Sequence, residues 1–585
     1  MNPRRFSKGL LFLVACVVVV NPMHASAWDP SRLSARDGND TQAWTELSWD
    51  TLQPSKDLHW VPCYSAGFQC TRLQVPLNYN DTEGDSAVIA LVRLPANVSS
   101  DSPTYRGPVL FNPGGPGDSG VDYILQAAAS HQSILGPQFD IVGFDPRGVQ
   151  RSTPRIEFYT TPVERAFGHH PATELNNNSR ETVESYWANT KNMGTLAYKR
   201  GKDYLAYMNT DHSARDMLSI VEAHGREKLQ YWGFSYGSVL GYTFAAMFPD
   251  KVERLIIDGV VDVDDYYTTQ WLIGLKDIHK TLEWFFTSCK EAGPGSCAFY
   301  EDSVGAMESK LEGIYAKLID APIPVVANIS YGLVDYNFLR SAVLISMYAP
   351  TAWPSLAEGL QAVHEGNQTF LDSLFQTPMF ECDCDGSKHE FDPNPEALNA
   401  YICNDGDPVP PGVEEARAHY QESVKFSEFG SFWACFRIAC NGWSPEIPKA
   451  QFRGPITGNT SFPMLIIGNT ADPVTSIDGA KGVNERFSGS VLLTQDSPGH
   501  ASVAVPSVCT GLAVKEYFVN GTLPKEGTVC PITGSLFDGS AAAPLGSTAI
   551  TKRDTVSDSD EPILKALQNL AKSRAREMKR HFMLH

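Results

Sequence analysis

The chain has 585 residues, 42% of them hydrophobic and 19% charged, the balance of a globular protein able to bury a large core. Its formal net charge is -20. Such a surface repels nucleic acid and anionic membranes, which excludes both as main partners.

The first element is a leader. Arg4, Arg5 and Lys8 precede an apolar run over 10–20, and Ala25-Ser26-Ala27 offers small residues for cleavage. This is the pattern of a secretory signal peptide, assigned to residues 1–27. The apolar run is too short to span a bilayer, and no later stretch is long and apolar enough, so no membrane span is expected. Eight Asn-x-Ser/Thr sequons follow, at Asn39, Asn80, Asn97, Asn177, Asn328, Asn367, Asn459 and Asn520. With the leader they predict a secreted, extracellular, glycosylated protein of eukaryotic type, each occupied asparagine lying on the surface.

Residues 28–57 read as an irregular lead-in, and 59–77 and 86–94 as strands. A short buried strand over 108–112 ends in a glycine-rich turn, and another runs over 139–144. Residues 212–224 have helical periodicity through Met217, Ile220 and Val221. A strand, a sharp turn and a helix follow from Tyr231, and a buried strand covers 252–259. Strands alternating with helices predict an α/β fold with a mainly parallel sheet covered on both faces.

The pattern changes after about 265. Residues 268–320 read as helical through Trp271, Leu275, Leu282, Trp284, Phe285 and Phe286, and 331–375 read as helical too. Residues 377–455 read as irregular, rich in Cys, Pro and Asp. The sheet resumes over 464–468 and 489–494, and a closing helix is expected over 503–518. The last stretch, 562–582, is a basic candidate helix with Leu564, Leu567 and Leu570, expected to be loosely attached and solvent-facing rather than membrane-bound. The expected organisation is a core over 28–264, a largely helical cap over 265–455, a second core part over 456–530 and a tail over 531–585.

Of twelve cysteines, Cys16 leaves with the leader. Close spacing in an oxidising compartment predicts the bridges Cys63–Cys70, Cys289–Cys297 and Cys509–Cys530. Pairing among Cys382, Cys384, Cys403, Cys435 and Cys440 stays open, with one thiol left over. A metal site at Cys382-Asp383-Cys384 is disfavoured, because such a chain oxidises these cysteines and no histidine falls at ligand spacing.

The chemistry centres on Gly233-Phe234-Ser235-Tyr236-Gly237, between a buried strand and a helix. That is the layout of a nucleophile elbow, where a turn lifts the serine to the positive end of a helix. Serine at its free pKa is a weak nucleophile and needs a base, which in turn needs an orienting acid. Asp472 follows one later strand and His500 the next, in the order Ser, Asp, His. The oxyanion donors expected are the N–H groups of Tyr236 and of Gly115, with Gly114 the fallback, since Pro113 and Pro116 have none to give.

These motifs resemble a known family. Gly114-Gly115-Pro116-Gly117, Asp145-Pro146-Arg147-Gly148 and the elbow are similar to the proline iminopeptidase group of α/β-hydrolases. The elbow from Tyr231 to Ser238, Ala471-Asp472-Pro473-Val474, Gly499-His500 and Pro506-Ser507-Val508-Cys509 resemble more closely its secreted tripeptidyl aminopeptidase-like branch. The resemblance covers roughly 58–265 and 455–530. It implies the α/β-hydrolase fold and a serine exopeptidase that removes proline or short peptides from free N-termini, with neither metal nor cofactor. It also implies cap carboxylates that hold the substrate amine, for which Glu381, Asp383 and Asp385 are candidates. One departure is Gln150 where the family pattern has glycine, in a loop read as structural, with Asp145 and Arg147 tying loops together. The rival readings are an esterase or acyltransferase on the same triad, and a noncatalytic binding or adhesion protein, which the complete triad argues against.

Overall fold

The computed structural model describes residues 49–64, 67–168, 180–376, 395–447, 452–537 and 557–583. The leader, Asn39, Asn177, Cys382, Cys384 and the three amine-site candidates Glu381, Asp383 and Asp385 lie outside them. The strands in chain order are β1 (Val61–Pro62), β2 (Gln69–Pro76), β3 (Ser86–Leu94), β4 (Gly107–Asn112), β5 (Phe139–Phe144), β6 (Leu229–Phe234), β7 (Val252–Asp258), β8 (Ile323–Val326), β9 (Tyr331–Val334), β10 (Leu465–Ala471), β11 (Val491–Pro498) and β12 (Val529–Pro531). Ten form one sheet in the order β1-β2-β3-β5-β4-β6-β7-β10-β11-β12, and β8 and β9 form a separate hairpin.

Pairing is antiparallel from β1 to β5 and parallel across β5-β4-β6-β7-β10-β11-β12. β4, β5 and β6 are buried along their whole length, as parallel strands covered on both faces must be. Successive side chains serve opposite layers. Leu110, Tyr231 and Ile257 pack with Met217, Ile220, Val239 and Leu240 of the helices Thr210–Ala223 and Tyr236–Met247. Phe111, Trp232 and Ile256 pack with Ile124, Val514 and Tyr517 of the helices Gly120–Leu135 and Val508–Asn520. This is the α/β-hydrolase fold.

Between β7 and β10 the regular elements among the described residues are helical apart from the β8–β9 hairpin, forming a cap. Two expectations fail there. β9 occupies the start of the segment read as helical from 331, with Val325 and Val334 turned inward and period-two burial. The stretch read as irregular over 377–455 contains the helices Pro395–Asp405, Val413–Phe426 and Gly430–Gly442. They are 11 to 14 residues long and stand among Pro and Gly breakers, and a fourth bridge, Cys403–Cys440, ties the first to the third. Cys63–Cys70, Cys289–Cys297 and Cys509–Cys530 pair as expected, and Cys435 is a buried free thiol.

Two further corrections concern the C-terminal part. The closing helix starts at Val508, after a single turn at Ser502–Ala504, not at 503. Pro506 disfavours helical backbone at Val505, and Ser507 then caps the helix by accepting the Thr510 N–H at 3.3 Å. The basic tail helix, Glu561–Met583, is docked rather than loose. Ile563, Ala566, Leu567 and Leu570 are each at most 5% exposed and join the core layer under Gly120–Leu135 and Val508–Asn520. The approach is close at Gly511, where a Cβ would stand 2.8 Å from Ile563 Cγ2. No helix among the described residues is long and apolar enough to cross a membrane.

Candidate active site

The parallel strands end on one edge, and Gly115, Ser235, Asp472 and His500 all follow strands at that edge. Ser235 follows β6 directly, with φ 57° and ψ -122°. A non-glycine residue rarely takes that region, and the turn is held from several sides. The Ser235 N–H donates to the Asp258 carbonyl at 3.0 Å, and the Ser238 hydroxyl to the Ser235 carbonyl at 2.5 Å. Gly233 and Gly237 pack so closely that a Cβ on Gly233 would lie 2.4 Å from the Gly237 carbonyl. Any side chain there would unwind the turn.

His500 lies in the loop after β11 and Asp472 just beyond β10, and both are buried. Nδ1 of His500 is 3.0 Å from each Asp472 carboxylate oxygen and 3.1 Å from the Thr475 hydroxyl. The Asp472 carboxylate also accepts the N–H groups of Val474, Thr475 and Ala501 at 2.9 to 3.0 Å. Burial alone raises its pKa, but the charge of His500 and these donors outweigh burial and hold the carboxyl below the usual range. Its carboxylate is therefore a stable acceptor for Nδ1–H.

Ser235 and His500 flank the same dipeptide. The Asp258 carbonyl holds the Ser235 amide, and a Cβ on Gly259 would stand 3.2 Å from His500 Cε1. Three buried side chains grip the histidine loop. Asn469 donates to the carbonyls of Gly499 and Ala501, both at 2.8 Å. Gln495 donates to those of Ser502 and Val505 at 3.1 and 3.3 Å. Asp258 accepts the Ser502 N–H at 2.8 Å and its hydroxyl at 2.5 Å. Sequence reasoning assigned none of these three a role. A partial signal was there for two of them: Asp258 directly follows the apolar run Leu255-Ile256-Ile257, and Asn469 stands just past Leu465-Ile466-Ile467.

The loop after β4 closes the other side. Gly114 touches the Ser235 turn, where a Cβ would meet Ser235 Cβ at 2.7 Å and the Phe234 carbonyl at 2.8 Å. Its N–H is committed to the Asn112 side chain at 3.0 Å. Gly115 is exposed although its neighbours Gly114 and Pro116 are buried. Tyr236 opens its helix, so its N–H has no carbonyl of that helix to reach. Ser235 itself is only half-buried. An accessible serine, the exposed Gly115 and a helix N-terminus thus converge at the edge of the sheet.

The outer loop keeps its structural role. Asp145 accepts the Ser119 hydroxyl at 2.5 Å and the N–H groups of Val121 and Arg151 at 3.1 Å. Arg147 pairs with Asp216 and donates to the carbonyls of Pro76, Leu77 and Tyr207. Gln150, which stands where the family pattern has glycine, takes φ 45°, a conformation glycine would hold with less strain.

The cap reaches His500 directly. The Tyr348 carbonyl, at the end of the helix Tyr336–Tyr348, accepts the His500 N–H at 3.0 Å, and its ring stands edge-on to the imidazole at 5.3 Å. The Thr281 hydroxyl donates to the Ala471 carbonyl at 2.8 Å. Asp405 of the cap accepts the Thr210 hydroxyl at 2.6 Å, and that hydroxyl is 2.6 Å from the Tyr236 phenol.

Two family models match the chain. One, described as alpha/beta hydrolase fold, covers residues 107–293 and so holds the elbow; the other, described as TAP-like protein, covers 425–530 and holds Asp472 and His500. The serine protease Hip1 of Mycobacterium tuberculosis is 28% identical over 81% of this chain and 91% of its own. The tripeptidyl aminopeptidase of Streptomyces lividans is 25% identical over 87% and 90%. The chain belongs to the tripeptidyl-aminopeptidase-like group of α/β-hydrolases. It is a serine hydrolase. A carboxylesterase B of Mycobacterium tuberculosis is 26% identical over 79% and 86%, so this degree of likeness spans names from both peptidase and esterase chemistry.

Proposed function

We propose that the protein is a secreted serine aminopeptidase that releases proline or short peptides, such as tripeptides, from free N-termini. The observation that carries the reading is the hydrogen-bonded Asp472–His500 pair beside a half-buried Ser235 on a positive-φ turn at a helix N-terminus. Full-length similarity to a protein named tripeptidyl aminopeptidase supports the substrate class. In the proposed reaction His500 takes the Ser235 proton at Nε2 while Asp472 holds Nδ1–H. Oγ attacks the scissile carbonyl carbon, and the oxyanion rests on the N–H groups of Tyr236 and Gly115. The C–N bond breaks as His500 protonates the leaving amine. Water, deprotonated by His500, then attacks the acyl-enzyme and frees Ser235.

Secretion is supported by four disulfides, and glycosylation by the surface position of all six described sequon asparagines, Asn80, Asn97, Asn328, Asn367, Asn459 and Asn520. The carboxylesterase relative favours a second reading, ester hydrolysis on the same triad. Free and N-acetylated fluorogenic peptides, compared with short acyl esters, separate the two. The aminopeptidase reading expects cleavage of free-amine peptides only, with none by Ser235→Ala. Equal cleavage of blocked peptides, or turnover of esters alone, overturns it.

A further inference from the structure

A fully buried carboxylate that the proposed reaction does not use stands between nucleophile and base. Asp258 ends β7, and its backbone carbonyl accepts the Ser235 N–H at 3.0 Å. Its carboxylate accepts the Ser502 N–H at 2.8 Å and hydroxyl at 2.5 Å, two residues past His500. The same carboxylate accepts the Trp232 indole N–H at 3.3 Å, from the strand that carries the elbow. One residue thus holds the nucleophile turn through its main chain and the histidine loop through its side chain. The next residue, Gly259, leaves room for His500 Cε1 that a Cβ would take. Among the described residues no cation is hydrogen-bonded to Asp258, whose donors are the Trp232 indole, the Ser502 hydroxyl and the Ser502 amide. Both carboxylate oxygens accept, one from the Ser502 N–H and the other from the Ser502 hydroxyl and the Trp232 indole, so an amide with its single oxygen would leave a donor unpaired.

We propose that Asp258 is a positioning residue of the reaction, setting the distance and orientation of His500 relative to Ser235 through Ser502 and Trp232. The inference rests on Ser235, His500 and Asp472 forming the triad. It does not rest on which substrate the triad cleaves. Burial also pushes the Asp258 carboxyl up to about 6, with the Ser502 hydroxyl and His500 acting against that rise. Near that pH the carboxyl takes up a proton and loses one acceptor site, on a residue the Ser502 hydroxyl and amide both need.

The test is Asp258→Asn, with Ser502→Ala as a second variant that keeps the buried carboxylate. Both are assayed on the best substrate found and by the rate at which a fluorophosphonate probe labels Ser235. Folding is followed by circular dichroism and thermal unfolding. In a folded protein, kcat and the labelling rate of Asp258→Asn should fall roughly 10- to 100-fold with KM within about twofold, as for a misplaced catalytic group. Ser502→Ala should lose part of this, and the double variant should lose no more than Asp258→Asn alone. Unchanged labelling by folded Asp258→Asn, a loss confined to KM, or additive losses in the double variant overturn the proposal. If Asp258→Asn does not fold, a wild-type labelling rate in Ser502→Ala overturns it. A protein that labels but cleaves no peptide sinks the aminopeptidase reading and leaves this test intact.

Discussion

Replacing Asp472 by Asn probes its proposed role as orienting acid with the smallest change of shape. In the native site Oδ1 accepts the N–H groups of Val474 and Thr475, and Oδ2 accepts that of Ala501. Both oxygens stand 3.0 Å from His500 Nδ1. An amide has a single oxygen, and the Oδ1 position serves two backbone donors against one at Oδ2. The amide oxygen therefore takes the Oδ1 position, and the NH2 group faces Ala501 N–H and Nδ1. Opposite a donor, Nδ1 becomes the acceptor and the imidazole proton moves to Nε2. There it blocks uptake of the Ser235 proton. The expected loss is about 10^4-fold in kcat, or ~5.5 kcal/mol of transition-state stabilisation. Stability changes for a different reason: the Ala501 N–H loses its acceptor, at a cost of about 1–3 kcal/mol. Steady-state kinetics and fluorophosphonate labelling measure the first effect, and thermal unfolding the second. A folded Asp472→Asn protein that keeps kcat within tenfold of wild type would refute the assignment of Asp472 as the orienting acid.

Gly114→Ala places a Cβ against Ser235 at a backbone φ of 116°, so Ser235 must move. Labelling of Ser235 should slow by roughly 100-fold, the scale of a misplaced reacting group. Leu567→Ala in the tail helix removes a side chain 5% exposed in the core layer, and thermal or denaturant unfolding should show a loss of about 2–5 kcal/mol. A cost near zero there would mean that the tail helix is detached in solution. Asp258 gives a pH signature. An acid whose folded pKa is raised binds its proton more tightly when native, so its contribution to stability falls as pH rises from 3.8 to about 6. The change is on the order of 3 kcal/mol. Asp258→Asn lacks it, so its stability relative to wild type should climb across that window; a constant difference would contradict the raised pKa.

How much could be read from the sequence depended on how locally each feature is built. The strands buried on both faces are mostly apolar, so β4, β5, β6 and β10 stand out along the chain. Ser235 and Asp472 each stand just past such a strand and His500 just past β11, in turns marked by glycine or proline neighbours. The supports of the site are not local. Asp258 reads as the polar end of a strand until the fold brings it to Ser502, 244 positions away. The tail helix looks detached because it is basic and follows a Gly/Ser/Ala-rich spacer, and only its approach to Gly511 reveals the docking. The cap helices over 395–442 were hidden by the same Cys, Pro and Asp content that ends them, and the bridge that ties two of them spans 37 positions.

The site has two fully buried carboxylates beside its histidine loop, and their surroundings separate their roles. Asp472 touches the imidazole and accepts three backbone N–H groups besides, which hold it ionised below the usual carboxylate range. Asp258 accepts one backbone N–H, one hydroxyl and one indole N–H, too little to offset burial, and its carboxyl rises to about 6. Groups whose pKa values are driven apart by environment are suited to different tasks. An imidazolium that forms at each turnover needs a partner whose charge does not vary near neutral pH, and only Asp472 offers one. Asp258 is suited instead to hold two loops together, a task that needs acceptor geometry rather than constant charge. The same contrast predicts that Asp258 cannot replace Asp472: in Asp472→Asn the second carboxylate, bound to Ser502 and Trp232 and not to Nδ1, should restore none of the lost rate, whatever the pH.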